Sequence, residues 1–170
     1  MNKSKNLILL LFLFVFNFFF AQNDNEYREA FTLKLPVDSV QFFQQEVAKS
    51  KYLVKENTLQ IYPGEHLFIE TEVENNVIKL MNVVKENKNP SKTIEIKFSQ
   101  EVSNRESKGM TLLVINPFNK KLNYDALMYI VGRNEWIKTS IIPIRPKLQA
   151  YELWKDTIIS LVLHNWRFED

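Results

Sequence analysis

No cysteine occurs in the 170 residues, which excludes a disulfide framework, a thiolate metal centre and a lipid anchor attached through a lipobox. Glycine is almost as scarce. With only Gly64, Gly109 and Gly132 in the chain, a phosphate cradle built from backbone N–H groups has little to work with. No Gly-x-Ser-x-Gly, no Gly-rich loop before a helix and no His-Glu-x-x-His is present. Nucleophilic hydrolases, nucleotide binders and the common zinc peptidases therefore lose their usual signatures. An excess of charge is missing too: the formal +2 is carried by Lys3 and Lys5, and the remainder of the chain is balanced. A polybasic nucleic-acid binder is disfavoured.

What is present begins with those two lysines. They precede an apolar run from Leu7 to Phe16, then Asn17, Phe18 to Phe20 and Ala21, followed by the polar Gln22-Asn23-Asp24-Asn25-Glu26. That order predicts a secretory signal peptide over 1–21 and a single domain over 22–170. Phe19 departs from the small residue usual at that distance from the cut, so an uncleaved N-terminal anchor is the alternative. The run is shorter than the roughly 20 residues a spanning helix needs, and no later segment reaches that length, so no membrane span is expected in the mature protein. The sole Asn-x-Ser/Thr sequon, Asn2-Lys3-Ser4, falls inside the signal. The expected location is exported, either periplasmic or secreted.

Beyond the signal the chain reads as strands. Phe31, Leu33 and Leu35 alternate with Thr32 and Lys34 before Pro36. Asp38, with Gln41 three residues on, resembles a capping box, and Val40, Phe43 and Val47 then line one helical face, predicting a short α-helix as far as Lys49. From Tyr52 short strands follow, with Pro63-Gly64 as a turn. If Asn75-Asn76 is a two-residue hairpin loop, Glu72 faces Lys79 and Leu67 faces Val84, and Leu67, Ile69, Val73, Ile78, Leu80 and Val84 share one face. Residues 99–109 carry a single apolar side chain, Val102, and are the longest candidate for a mobile loop. Met110 to Ile115 and Ile158 to Leu163, apolar on both faces, read as buried strands, the latter central.

A second hairpin, Leu122 to Val131 with Trp136 to Ile142, places Ala126, Met128, Ile130, Ile137 and Ile141 on a core face. Leu127, Tyr129, Val131, Trp136 and Lys138 take the other. Pro143-Ile144-Arg145-Pro146 reads as an extended crossover rather than a polyproline ligand, and Leu148 to Lys155 as a connection over the domain's edge. About 8–10 short strands with one N-terminal helix predict a mainly β fold, an antiparallel immunoglobulin-like β-sandwich, with a partly open barrel as the alternative.

The block Met110 to Phe168, with Leu112-Leu113-Val114-Ile115-Asn116-Pro117, Thr139-Ser140-Ile141-Ile142-Pro143 and Glu152-Leu153-Trp154, resembles small exported immunoglobulin-like sandwich proteins of Gram-negative bacteria. The resemblance covers about the C-terminal third of the chain and implies a fold and an envelope location, with no activity attached.

Few side chains suggest chemistry. His66 and His164 lie far apart in sequence and read as strand-edge groups, so neither a metal site nor a cofactor is expected. Glu70, Glu72 and Glu74 alternate along one strand face, which suits either a carboxylate site or a solvated, charge-paired sheet face; the tight oxygen-rich loop of a calcium site is missing. Aromatic side chains carry what binding potential there is. Tyr129 and Trp136 share the outer face of the second hairpin with Lys138, and Tyr151 and Trp154 precede the last strand. Such rings anchor protein partners or stack on sugars when exposed, and close a core when buried. Three functions follow: a non-enzymatic module binding an envelope protein, a carbohydrate-binding domain, and an enzyme using Glu70, Glu72 or His66.

Overall fold

The computed structural model describes residues 24–169, and the predicted signal segment lies outside them. After a 3-10 turn at Asp24–Glu26 the chain forms strands β1 (Tyr27–Arg28), β2 (Phe31–Pro36), β3 (Phe42–Val47), β4 (Ser50–Lys51), β5 (Leu53–Lys55), β6 (Thr58–Ile61) and β7 (His66–Glu74). It continues through β8 (Val77–Val84), β9 (Thr93–Ser103), β10 (Glu106–Ile115), β11 (Lys121–Ile130), β12 (Trp136–Thr139), β13 (Gln149–Trp154) and β14 (Ile158–Glu169). The protein is mainly β, every strand pair is antiparallel, and no α-helix occurs among the described residues.

Two five-stranded sheets dominate. Sheet I has the order β13-β10-β9-β7-β8 and sheet II the order β12-β11-β14-β6-β5. Their inward residues, among them Ile69, Ile94, Phe98 and Leu112 from sheet I and Leu59, Tyr124, Ala126 and Leu161 from sheet II, belong to one buried cluster, as in a β-sandwich. The chain changes sheet between β6 and β7, β10 and β11, β12 and β13, and β13 and β14. β14 lies between β11 and β6, the central place its apolar sequence predicts.

The helix expected over 38–49 is instead a hairpin. Asp38 does accept the N–H groups of Val40 and Gln41, at 2.8 and 2.7 Å, as a cap would. The Gln41 carbonyl, however, accepts from Val37 and Asp38 and turns the chain back, so that Phe42 pairs with Pro36 and Val47 with Phe31. Phe43 and Val47 are four apart, a spacing that fits a strand face as well as a helical one. Leu33, Leu35 and Val47 bury against Ile159 on the outer face of sheet II, with Tyr62, Tyr129 and Val131 around them. Val40, placed on the apolar side of the expected helix, is exposed at the hairpin loop.

The Asn75-Asn76 turn forms as expected, both residues having the positive φ that the favoured hairpin turn requires. Register holds only as far as Val73 facing Ile78. A bulge leaves Lys79 over, so Glu72 faces Leu80 rather than Lys79, and Phe68 rather than Leu67 faces Val84. The extra residue exchanges the faces beyond it. Met81 and Val83 are buried while Leu80 is exposed; Val73 also points to solvent.

Residues 99–109 are not a loop. They extend β9 and β10 through a two-residue turn at Asn104-Arg105, again with positive φ. This ribbon is mostly polar on both faces because it projects past the core, and so it lacks the alternation by which strands are read. The β11–β12 hairpin keeps the predicted faces, with Tyr129 opposite Trp136 and Met128 opposite Ile137. Ile144 exchanges backbone hydrogen bonds with Leu122 at 2.8 and 2.9 Å, in keeping with an extended crossover.

Candidate functional site

Each large sheet has two edges, and an unpaired edge strand offers a row of free N–H and C=O groups to any extended chain. Three of the four are protected. β5 is three residues long and shifts register against β6. β8 carries the bulge at Lys79, and the Asn57 side-chain amide donates to the carbonyls of Ile78 and Lys79. β12 is four residues long and bears Lys138. β13 is different: its six residues pair with β10 without a break, from Met110 with Trp154 to Ile115 with Gln149, and hold no proline, lysine or bulge.

The direction of its backbone groups follows from two hydrogen bonds. The Asn116 N–H donates to Leu148 at 2.9 Å in the same register, and the Phe98 N–H donates to Glu65 at 3.0 Å two strands away. Alternation across β9 and β10 then turns the N–H and C=O of Ala150, Glu152 and Trp154 toward β10, and those of Gln149, Tyr151 and Leu153 away from the sheet. The outward-bonding residues are also the outward-facing ones. Tyr151 is 56% and Leu153 70% exposed. On the same outer face β10 adds the half-buried Leu113 and Ile115.

The inward side chains link this edge to sheet II. Trp154 packs against the core and donates its Nε1–H to Thr139 Oγ1 at 3.1 Å. A Glu152 carboxylate oxygen accepts the Ile142 N–H at 3.2 Å, and the Ile142 side chain stands 73% exposed beside it. Gly109 permits the close approach of β10 and β13: a Cβ there would meet the Trp154 carbonyl oxygen at 2.8 Å, at a φ of +134°.

Of the five aromatic and basic candidates, Trp136, Lys138, Tyr151 and Trp154 lie on the β12 and β13 edges, but not on one face. Trp136 and Lys138 point outward from sheet II and Tyr151 outward from sheet I, while Trp154 turns inward. Tyr129 is half-buried beside the β2–β3 hairpin, its ring 5.3 Å from that of Trp136, which is 43% exposed. Trp166 lies in the core, stacked on Tyr124 at 4.5 Å. Leu153 and Ile142 were not singled out in the sequence. Alternation of Gln149, Tyr151 and Leu153 with Ala150, Glu152 and Trp154 is the sequence signal for them, a short one in a segment that also fits a connection.

Of the carboxylate and histidine candidates, Glu70 and His66 are engaged in local pairs. Glu70 takes Lys92 Nζ at 2.7 Å and Asn89 Nδ2 at 2.6 Å, and these hydrogen bonds hold its carboxyl below the usual range. His66 Nε2 lies 2.8 Å from Glu95 Oε1. Glu72 and Glu74 border an open cleft of about 540 Å³ with Phe118, Phe168 and Lys120. His164 is half-buried on β14, opposite Asp125. Among the described residues no group of three or more acidic or histidine side chains is placed to hold a metal ion, and no helix is long and apolar enough to cross a membrane. No protein family, curated protein or solved structure matches the chain.

Proposed function

We propose that this protein is a non-enzymatic, exported β-sandwich module of the immunoglobulin-like class that binds a protein partner in the cell envelope by adding the partner's strand to β13. The observation that carries this reading is the unprotected edge itself, in which free backbone groups and exposed apolar side chains coincide at Tyr151 and Leu153. Strand addition takes affinity from main-chain hydrogen bonds and specificity from alternate side chains, and β13 supplies both. The immunoglobulin-like assignment draws on the repeated crossings between two antiparallel sheets. Export draws on Lys3, Lys5 and the apolar run behind them. The non-enzymatic part draws on Glu70 and His66, each occupied by a neighbouring side chain at the surface.

Affinity capture of the tagged domain from its own cell envelope, run beside Leu153→Lys, tests the proposal. A protein enriched by the wild type and lost from the variant, at unchanged melting temperature, is the expected result. An identical captured set from both proteins overturns it.

A second reading, a glycan stacked on Trp136, is favoured by the half-exposed indole beside the Tyr129 ring. It requires a change in tryptophan fluorescence on titration with a glycan panel, abolished by Trp136→Ala; an unresponsive spectrum excludes it.

A further inference from the structure

We propose that the β2–β3 hairpin is a hinged strap, which swings off sheet II as one unit and uncovers an aromatic face beneath it. The hairpin belongs to neither large sheet. Its register runs from Phe31 with Val47 to Pro36 with Phe42, and among the described residues no backbone hydrogen bond joins residues 31–47 to sheet I or sheet II. What holds it down is a small cluster of its own, Leu33, Leu35 and Val47 against Ile159, separate from the main core. A side-chain latch adds to this: Gln100 Nε2, on β9, donates to the Pro36 carbonyl at 2.8 Å.

The two ends are built as joints. Glu29-Ala30 and Ala48-Lys49 lie outside any strand and are exposed, and an ion pair of 2.7 Å between Lys49 and Glu29 ties one joint to the other. Just outside the joints the chain is fixed, because β1 pairs with β4 and the buried Arg28 guanidinium bonds Glu65 and the Gln60 carbonyl. Inside them, Thr32 Oγ1 donates to Glu46 at 2.8 Å and Lys34 lies over the Phe42 ring, bonds that travel with the hairpin. An element held by so few buried apolar contacts opens at a lower free energy than the strands of the core.

Beneath the strap lies a built face. Tyr129 pairs with Ser160 and Ile130 with Ile158, so a bulge leaves Ile159 over on the central strand, and it points outward while Ile158 and Leu161 point into the core. Tyr62 and Tyr129 are half-buried around it; Phe31 of the strap packs edge-on against Tyr62, and Tyr129 faces Trp136. With the strap closed, Trp136 is the exposed ring of this row. With it open, Tyr129 and Tyr62 join it. The consequence for binding rests on the reading of Trp136 as a glycan platform: the strap sets whether one ring or three are offered to a sugar chain.

Because the chain holds no cysteine, one introduced thiol is the only one that can react. Ile159→Cys under the strap and Leu161→Cys in the core, two residues apart on β14, are labelled side by side with a thiol reagent in the absence of denaturant. Ile159→Cys should react at least about a hundredfold faster. Gln100→Ala, which removes the latch, should speed that reaction a further two- to tenfold, roughly the worth of one hydrogen bond, and leave Leu161→Cys unchanged. Ser160→Cys keeps Ile159 in place and repeats the measurement with the strap's packing intact. For binding, a glycan panel is titrated into the wild type and into Leu35→Asp, whose buried charge should hold the strap off, with Gln100→Ala as the second variant if Leu35→Asp fails to fold. The opened variant should bind at least about tenfold more tightly, since its competent state is no longer a minor one.

Equal labelling of Ile159→Cys and Leu161→Cys overturns the strap. Faster labelling of Ile159→Cys with equal glycan affinity in the wild type and the opened variant overturns its control of binding and leaves the Trp136 platform standing. No glycan response in either protein removes that platform and the control with it, an outcome told apart from a failed strap by the labelling rates.

Discussion

Arg28 is the residue on which the N-terminal segment turns. It is 2% exposed, its Nε lies 2.8 Å from Glu65 Oε1, its other donors reach Ser50 Oγ and the carbonyls of Lys51 and Gln60, and its guanidinium lies over the rings of Tyr52 and Tyr62. Breaking such a pair from one side leaves a mostly buried carboxylate without its counter-charge. Arg28→Ala should cost about 3–5 kcal/mol in urea unfolding, and a loss below about 1 kcal/mol would show the pair to be incidental. Nothing in the sequence marks Arg28, because its six partners come from two separate stretches of chain, residues 50–52 and 60–65. The leucines make the complementary point. Leu112 and Leu153 look alike in sequence, yet one is fully buried and the other exposed on the outer face. Leu112→Ala should cost about 2–5 kcal/mol and Leu153→Ala less than about 0.5. Equal losses in a melting experiment would remove Leu153 from the docking face. Tyr151 was legible as a candidate for its chemistry; its exposure was not, since that depends on which way one edge strand faces.

At the scale of elements, hairpins with strong local turns were legible and their interruptions were not. Asn75-Asn76 announces its turn through two residues that tolerate positive φ, at 49° and 63°. Replacing the second by glycine should raise the melting temperature slightly, by the equivalent of a few tenths to about 1 kcal/mol; a lowered value would mean that the Asn76 side chain, rather than its backbone, holds the turn. The bulge at Lys79 left no comparable trace, because an inserted residue shows only as a change of phase, and Leu80 and Met81 are both apolar. The helix expectation failed through the same ambiguity of spacing, with Phe43 and Val47 decided by their partners Leu35 and Phe31 across the hairpin. β13 is hard to tell from a connection in the sequence because a six-residue edge strand between proline-rich and charged segments has few turn signals of its own.

The whole molecule was legible as mainly β and antiparallel, since apolar alternation recurs along almost its entire length; the order of strands within each sheet was not, as it depends on which partners lie far apart in the chain. Its surface charges also act together at low pH. Hydrogen bonds from Asn165 and Arg167 hold the Asp125 carboxyl below its ordinary value, as Lys92 and Asn89 do for Glu70. Both groups therefore bind protons more readily when unfolded, so their stabilisation is present above the unfolded carboxylate range and is lost as pH falls through the lower, folded values. Urea midpoints should hold steady from about pH 7 to 5 and decline below about pH 4, the decline shrinking in Asp125→Asn. A decline of the same size in that variant would assign the acid sensitivity elsewhere.

Amide exchange in the free protein, resolved by residue, shows whether β13 is an open edge. Fast exchange is expected at Gln149, Tyr151 and Leu153, alternating with slow exchange at Ala150, Glu152 and Trp154. Uniform protection along β13 at concentrations where the protein is monomeric would mean that the edge is already occupied, and would contradict that expectation.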